Sequence, residues 1–518
     1  MRRQAAAALT FALGVLTTMP SADAEMFDSN GYPSSGRAID QLKPASDYSD
    51  VLQGRPLALG IMRTRGQGFV PSPELQDYVR GIMMRLLAGV TMPASFQPEV
   101  RVLAAPAFAG ECTPDGTLIL TVGLLEQLET EDELAFVIGH ELGHAIYRHH
   151  PEKWAEKAQY YAVVHSTSFD VATRAAALSM GGSLGGNIAR GLNVAQHLAK
   201  LSSDVLMPQM ERGQEDQADA LGFDLMVKAG YDPEAAFAVM DKLAAQEAEA
   251  KRAADAAKAA AGKDSGDSGG DLLGGIGAVG GLVGTLALGG TPSSDQIADV
   301  AIYAFDKAVD NMAEDATSHH PATEREALLS AYIYRSYRDV GPEPPTPLPW
   351  APQSASPLKP QLTGLLAHYT DAENAAAYVA DPSSSTQTAA LNNVKRATAA
   401  PTSNHAYTEY AAFEYYSHEN EQAQSEAALE RAATGPQPSW EVYSKLIDIR
   451  MARQDYPGAE QLMNQAVTQF QDSPVLLPKH IAILTAEGRG NDAGALNTKC
   501  KSYDIDPLTD ACKKAMTG

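Results

Sequence analysis

The sequence predicts an α+β, mostly helical fold in two parts: a first half holding a small sheet and a second half that is all-α. Three observations carry this. Two strand-like runs precede a capped, strongly apolar helical stretch; a proline-rich segment divides the chain at 341–357; and beyond it alanines recur at the period of a helical repeat. With 518 residues, 44% of them hydrophobic, the chain can build two or more domains with real cores. A net charge of -24 and a pI near 4.9 argue against nucleic acid as a partner.

The chain opens on Met-Arg-Arg-Gln, an apolar run from Ala5 to about Val15, and Ala22-Asp23-Ala24. A basic start, an apolar stretch too short to span a bilayer and a small-residue cleavage site predict a secretory signal peptide over 1–24, hence export. No cysteine follows the apolar run, which argues against a lipoprotein.

From Pro71 to Ala88 helix-start residues lead into an amphipathic pattern. Glu99–Leu103 and Thr117–Val122 read as strands around the turn-rich Gly110–Gly116. This small sheet can present an edge to an extended peptide.

Thr130 and Glu133 form a capping-box pattern, and Leu134, Val137, Ile138 and Leu142 recur with helical spacing until Pro151. The segment contains His140-Glu141-Leu142-Gly143-His144. Histidines four apart share one helical face and can reach a single zinc ion, with the Glu141 carboxylate beside them free to handle water as a general base. So apolar a helix is a buried one, and burying two histidines around a carboxylate needs a reason.

Catalytic zinc usually takes three protein ligands and keeps one position open. The best third candidate is Glu215, on a helical stretch from Glu211 that Gly230 and Asp232-Pro233 terminate. Asp219, four residues on, can accept a hydrogen bond from the outward nitrogen of a ligating histidine and fix its tautomer.

These residues together resemble the gluzincin zinc metallopeptidase family of the CAAX prenyl endopeptidase and HtpX heat-shock protease type, with a layout like the periplasmic beta-barrel assembly-enhancing protease. The resemblance covers roughly residues 70 to 335. It rests on His140-Glu141-x-x-His144 with His149 five residues on, Glu215-x-x-x-Asp219 followed by Leu221-Gly222 and Ala229–Pro233, and His320-Pro321 leading to Arg325. It implies a zincin-like fold, one zinc per chain on His140, His144 and Glu215, Glu141 as general base, and Ala107-Phe108-Ala109 as part of the substrate-binding edge strand. Arg325, His319 or His320 would steady an oxyanion. Two features depart from the family pattern: Pro106 stands where asparagine is usual, and the following turn is longer and holds Cys112. His320 is one residue closer to Arg325 than the family spacing, which His319 would restore, so either histidine can be the equivalent one.

An alanine- and charge-rich helix to about Ala261 gives way to a flexible, glycine-rich insertion at about 262–294, whose uncharged run 272–288 is a candidate lid or membrane-touching flap. A second glycine-rich region spans 175–191. A histidine from the 319–320 pair, delivered by a loop, could also occupy the open metal position and hold the enzyme latent.

Residues 341–357 read as a stiff proline-rich linker between a domain over 25–340 and a helical one over 358–518. In the latter, Ala423, Ala459 and Ala493 lie 36 and 34 residues apart, close to the tetratricopeptide period, in which a small residue lets two helices approach. Leu446, Tyr407, Tyr410 and Tyr443 fall on the first helices. Cys500 and Cys512 are close enough to pair in an oxidising compartment, leaving Cys112 over.

The expectation is a periplasmic zinc endopeptidase. By the resemblance, its substrates would be unfolded or misassembled envelope proteins, and its repeat unit would bind clients or outer-membrane assembly machinery. The rival is a non-proteolytic chaperone or scaffold with a latent or structural zinc site. An intact Glu141 argues against it, since a purely structural site has no use for a general base.

Overall fold

The computed structural model describes residues 31–52, 68–150 apart from 107, positions 159 and 163, 212–264, and 320–517 apart from 339, 381, 383 and 472. The signal-peptide segment, Ala107, His319 and the glycine-rich runs 175–191 and 272–288 lie outside them.

Two short helices, α1 (Ala38–Gln41) and α2 (Ser49–Leu52), precede α3 (Pro73–Leu87), which Ser72 caps by accepting from the Leu75 N–H. Three strands follow: β1 (Glu99–Leu103), β2 (Gly110–Cys112) and β3 (Thr117–Thr121), in the order β1-β3-β2. β1 runs parallel to β3, and β2 antiparallel to it. The segment expected as one turn therefore contains an edge strand, and only Thr113–Gly116 turns. Three residues that include a glycine and a glutamate are too few to show strand alternation.

Period-two alternation gives the sheet two buried faces. Val100, Val102, Leu118 and Leu120 enter the main core, whereas Leu103 and Ile119 face a second one. The main core is built with α4 (Val122–Gln127), α5 (Glu131–Tyr147), α6 (Arg212–Lys228), α7 (Ala235–Asp264) and α8 (Ala322–Ser336). α7 runs on through Gly262 to Asp264, where a flexible stretch was expected to have begun.

α5 starts at its Thr130 cap, whose hydroxyl accepts from the Glu133 N–H at 3.1 Å. The Glu133 carboxylate reaches one residue further back than a capping box, to the Glu129 N–H at 2.6 Å. The helix ends at Arg148, in the left-handed region at φ 57, and not at Pro151. That turn folds His149 back over the last turn, its N–H bonded to the His144 carbonyl at 3.0 Å.

Residues 341–357 are not a free spacer. The Glu131 N–H, unsatisfied within its own helix, donates to Thr346 O at 2.7 Å, and buried Asp132 accepts from the Thr346 and Asp232 N–H groups. Leu348 is fully buried, and Trp350 donates to Leu125 O at 3.0 Å. Proline content reports stiffness but not the surface a segment lies on; Leu348 and Trp350 were the apolar anchors in it.

Nine helices follow among the described residues: α9 (Lys359–Ala380), α10 (Gln387–Ala397), α11 (Ala406–His418), α12 (Gln422–Thr434), α13 (Trp440–Ala452), α14 (Tyr456–Gln469), α15 (Leu477–Ala486), α16 (Gly490–Lys501) and α17 (Asp506–Ala515). α12, α14 and α16 begin at 34-residue intervals. Ala459 and Ala493 are fully buried, but Ala423 is exposed; the equivalent position is buried Ser425, whose hydroxyl bonds Ser417 at 2.7 Å. Cys500 and Cys512 form a disulfide joining α16 to α17, and Cys112 is buried on β2. Leu362, Leu366 and Tyr369 of α9 join the main core, while helices α13–α17 supply the second core behind Leu103 and Ile119. The sheet is thus sandwiched between the α5 side and the C-terminal helices.

Candidate metal centre

α5 and α6 touch backbone to backbone. A Cβ on Gly139 would stand 2.9 Å from Gly222 O, and one on Gly143 would stand 3.0 Å from Ala218 Cα. Small residues four apart on both helices permit this approach, and it is what brings Glu215, 71 residues along the chain, to the two histidines. Such a stripe was readable in the sequence as the signal for close packing.

The histidine Nε2 atoms lie 3.1 Å apart; the Glu215 oxygens stand 3.4 Å from that of His144 and 3.6 Å from that of His140. Ligands about 2.0–2.1 Å from a tetrahedral ion stand about 3.3 Å from one another. His140, His144 and Glu215 form the one such metal-competent cluster among the described residues.

Asp219, fully buried, lies 2.9 Å from His140 Nδ1. Burial alone would raise its carboxyl, but Arg325 and the His140 bond bring it down to about 2, so it is an acceptor and His140 Nδ1 carries the proton. The His140 Nε2 lone pair therefore faces Glu215. This donor set, two imidazoles and a carboxylate with one histidine oriented by a second carboxylate, fits zinc. Burial holds His144 well below the ordinary histidine value, helped by His140 and His149; at His140, burial is outweighed by Asp219 and the value is raised.

Arg325 donates to both Asp219 oxygens, at 2.8 and 2.6 Å, and sits 3.3 Å from Glu215 Oε2. Its guanidinium thus bridges Asp219, behind His140, and Glu215 of the cluster itself. His320 is buried with Nδ1 3.4 Å from Asp216 Oδ2 and is not part of the three-residue cluster.

Glu141 lies between α5 and β2. It accepts from the Cys112 N–H, while its buried Oε2 has no hydrogen-bond partner among the described residues. Burial pushes its carboxyl up to about 7, with His140 opposing and Glu215 and Glu111 adding to the rise. A carboxyl balanced near neutrality beside the ligands can take and return a proton. Phe108 and Ala109 are half-buried just ahead of β2, and Ala109 is tied to β3 through Thr121. The sequence reading placed His149 in the motif but gave it no role; it is held between His144 and Gln217, and Asp132, which clasps the proline-rich strap, was missed.

Among curated proteins, the chain is 29% identical over 145 residues to the mitochondrial metalloendopeptidase OMA1 of Arabidopsis thaliana, covering 28% of this chain and 25% of that protein. It is 28% identical over 194 residues to the mitochondrial metalloendopeptidase OMA1 of Schizosaccharomyces pombe (strain 972 / ATCC 24843), covering 37% of this chain and 51% of that protein. The chain thus spans a quarter to about half the length of these relatives. The family model for peptidase family M48 matches residues 73–331, half of the chain, from α3 through all three cluster residues to Arg325 in α8. The matched range holds the whole His140, His144 and Glu215 cluster, and the chain belongs to peptidase family M48.

Proposed function

We propose that the chain is an exported zinc-dependent endopeptidase acting on misfolded or stalled envelope proteins. The observation that carries the reading is the buried Oε2 of Glu141, without a hydrogen-bond partner among the described residues, beside the convergent His140, His144 and Glu215. Those three residues would hold a zinc ion, and the chemistry it would supply is that of a Lewis acid toward water and a scissile carbonyl. Glu141 accepts the proton of the attacking water and returns it to the leaving amine. Asp219 keeps the His140 proton on Nδ1, and Arg325 holds Asp219 and Glu215 in register. β2, an edge in the strand order, takes up the substrate as an added extended strand.

The 34-residue interval of α12, α14 and α16 and their buried Ser425, Ala459 and Ala493 support a tetratricopeptide-like unit that binds clients or outer-membrane assembly machinery. The Cys500–Cys512 disulfide and the signal-peptide pattern support a periplasmic location. Cleavage of an unfolded model protein by the chain from residue 25, compared with a Glu141→Gln variant, tests the reading. Equal cleavage by the two would overturn it.

A further inference from the structure

His144 and His149 face each other through their Nδ1 atoms, 3.0 Å apart. One must donate and the other accept. On the metal-centre reading, on which this inference rests, His144 offers its Nε2 lone pair toward Glu215 and so carries its proton on Nδ1. His149 Nδ1 is then the acceptor, and its own proton lies on Nε2. That nitrogen is 2.9 Å from Gln217 Oε1, which can only accept. Every polar atom in the line finds a complementary one with a single arrangement of protons.

The fold holds this line rigidly. The left-handed turn at Arg148 folds His149 over His144, and the His149 N–H bonds the His144 carbonyl. Tyr147 stacks on the His149 ring at 5.4 Å between centroids. Gln214 donates to the His149 carbonyl at 3.4 Å from the same turn of α6 that carries Gln217 and Glu215. The helix that brings the third ligand therefore also fixes the residue behind the second one.

We infer that His149 and Gln217 form a relay that sets the tautomer and orientation of His144 for metal binding, as Asp219 does for His140. His149 is a positioning residue, acting through His144. Groups that orient a ligating histidine in this way change metal affinity about 10- to 100-fold when removed.

The test measures affinity for Zn2+ alone by competition with a chromophoric chelator, using the full exported chain, with thermal unfolding of each zinc-free variant alongside. His149→Phe keeps the stacked ring and removes the acceptor; it should weaken zinc about 10- to 100-fold. His149→Asn retains an acceptor near the Nδ1 position and should recover most of that loss, which a merely structural role does not predict. Gln217→Leu, at the half-buried end of the line, provides a second perturbation in the same direction if His149→Phe folds poorly. Unchanged affinity in both His149→Phe and Gln217→Leu, or equal losses in His149→Phe and His149→Asn, would overturn the relay. A Glu215→Gln control separates the two levels. If it leaves zinc binding unaltered, the metal centre itself is wrong; if it weakens binding while His149→Phe does not, the relay alone fails.

Discussion

A Cβ on Gly222 would stand 2.6 Å from the backbone nitrogen of His140. The helix bearing Glu215 and Asp219 thus lies against the helix bearing the histidines with no room for a methyl group. Gly222→Ala should push α6 away from α5, costing about 1–3 kcal/mol in overpacking. The same displacement should carry Glu215 off the cluster. Chemical denaturation and zinc titration of this variant should both register the change; wild-type values in both would show that the close approach does not position the ligand.

Asp219 joins His140 to Arg325 in a buried ion pair. Asp219→Asn removes the charge that Arg325 needs while leaving the guanidinium buried, which should cost about 3–5 kcal/mol. Zinc affinity should fall by up to about 10-fold, since a neutral amide oxygen orients His140 less firmly than the carboxylate does. Urea unfolding and chelator competition measure the two effects separately. A stable variant with weakened zinc binding would mean that Glu215, 3.3 Å away, is enough to hold the buried guanidinium.

Asp224 accepts from the Tyr332 and Tyr337 hydroxyls and from the Ile39 N–H, with Arg37 also nearby. Burial nevertheless pushes its carboxyl up to about 6, above the unfolded value of 3.8. The folded state therefore holds this proton more tightly, and the contribution is fully present below the unfolded value and lost as pH rises through about 6. Relative to Asp224→Asn, the wild type should gain about 2 kcal/mol in stability between pH 7 and pH 4. Paired denaturation curves at the two pH values measure this difference; the same difference at both would contradict it.

The C-terminal helices complete the sheet's second face. A fragment ending at residue 340 would expose Phe69, Leu103, Ala105 and Ile119 and leave the Asp132 carboxylate without the Thr346 N–H. It should aggregate or lack a cooperative melt by calorimetry. A soluble fragment that melts at the full-length temperature would show that the two parts fold independently.

Much of the site was legible because its signals are local or chemical. Thr130 begins the metal helix, the four-residue spacing puts His140 and His144 on one face, and Glu215 and Asp219 repeat that spacing 71 residues on. Contacts across the fold were less visible. Nothing in the sequence around Arg325 shows that it pairs behind the ligands with Asp219 and Glu215. His149 belongs to the motif but has no visible role in the sequence until the left-handed Arg148 turns it back. Proline-rich composition obscured the strap on α5, because its anchoring groups, Asp132 and the Glu131 N–H, belong to another element. The repeat period was visible, but its first position was misregistered from Ser425 to Ala423, since a buried serine bonded to Ser417 does not look like a packing residue.

The most direct test compares the wild-type chain from residue 25 with Glu141→Gln, matched for zinc content, in cleavage of an unfolded model protein. Each should hold one zinc and the wild type alone should cleave, because Glu141 moves the proton without holding the metal. Cleavage by Glu141→Gln at the wild-type rate, or loss of zinc on that substitution, would contradict it.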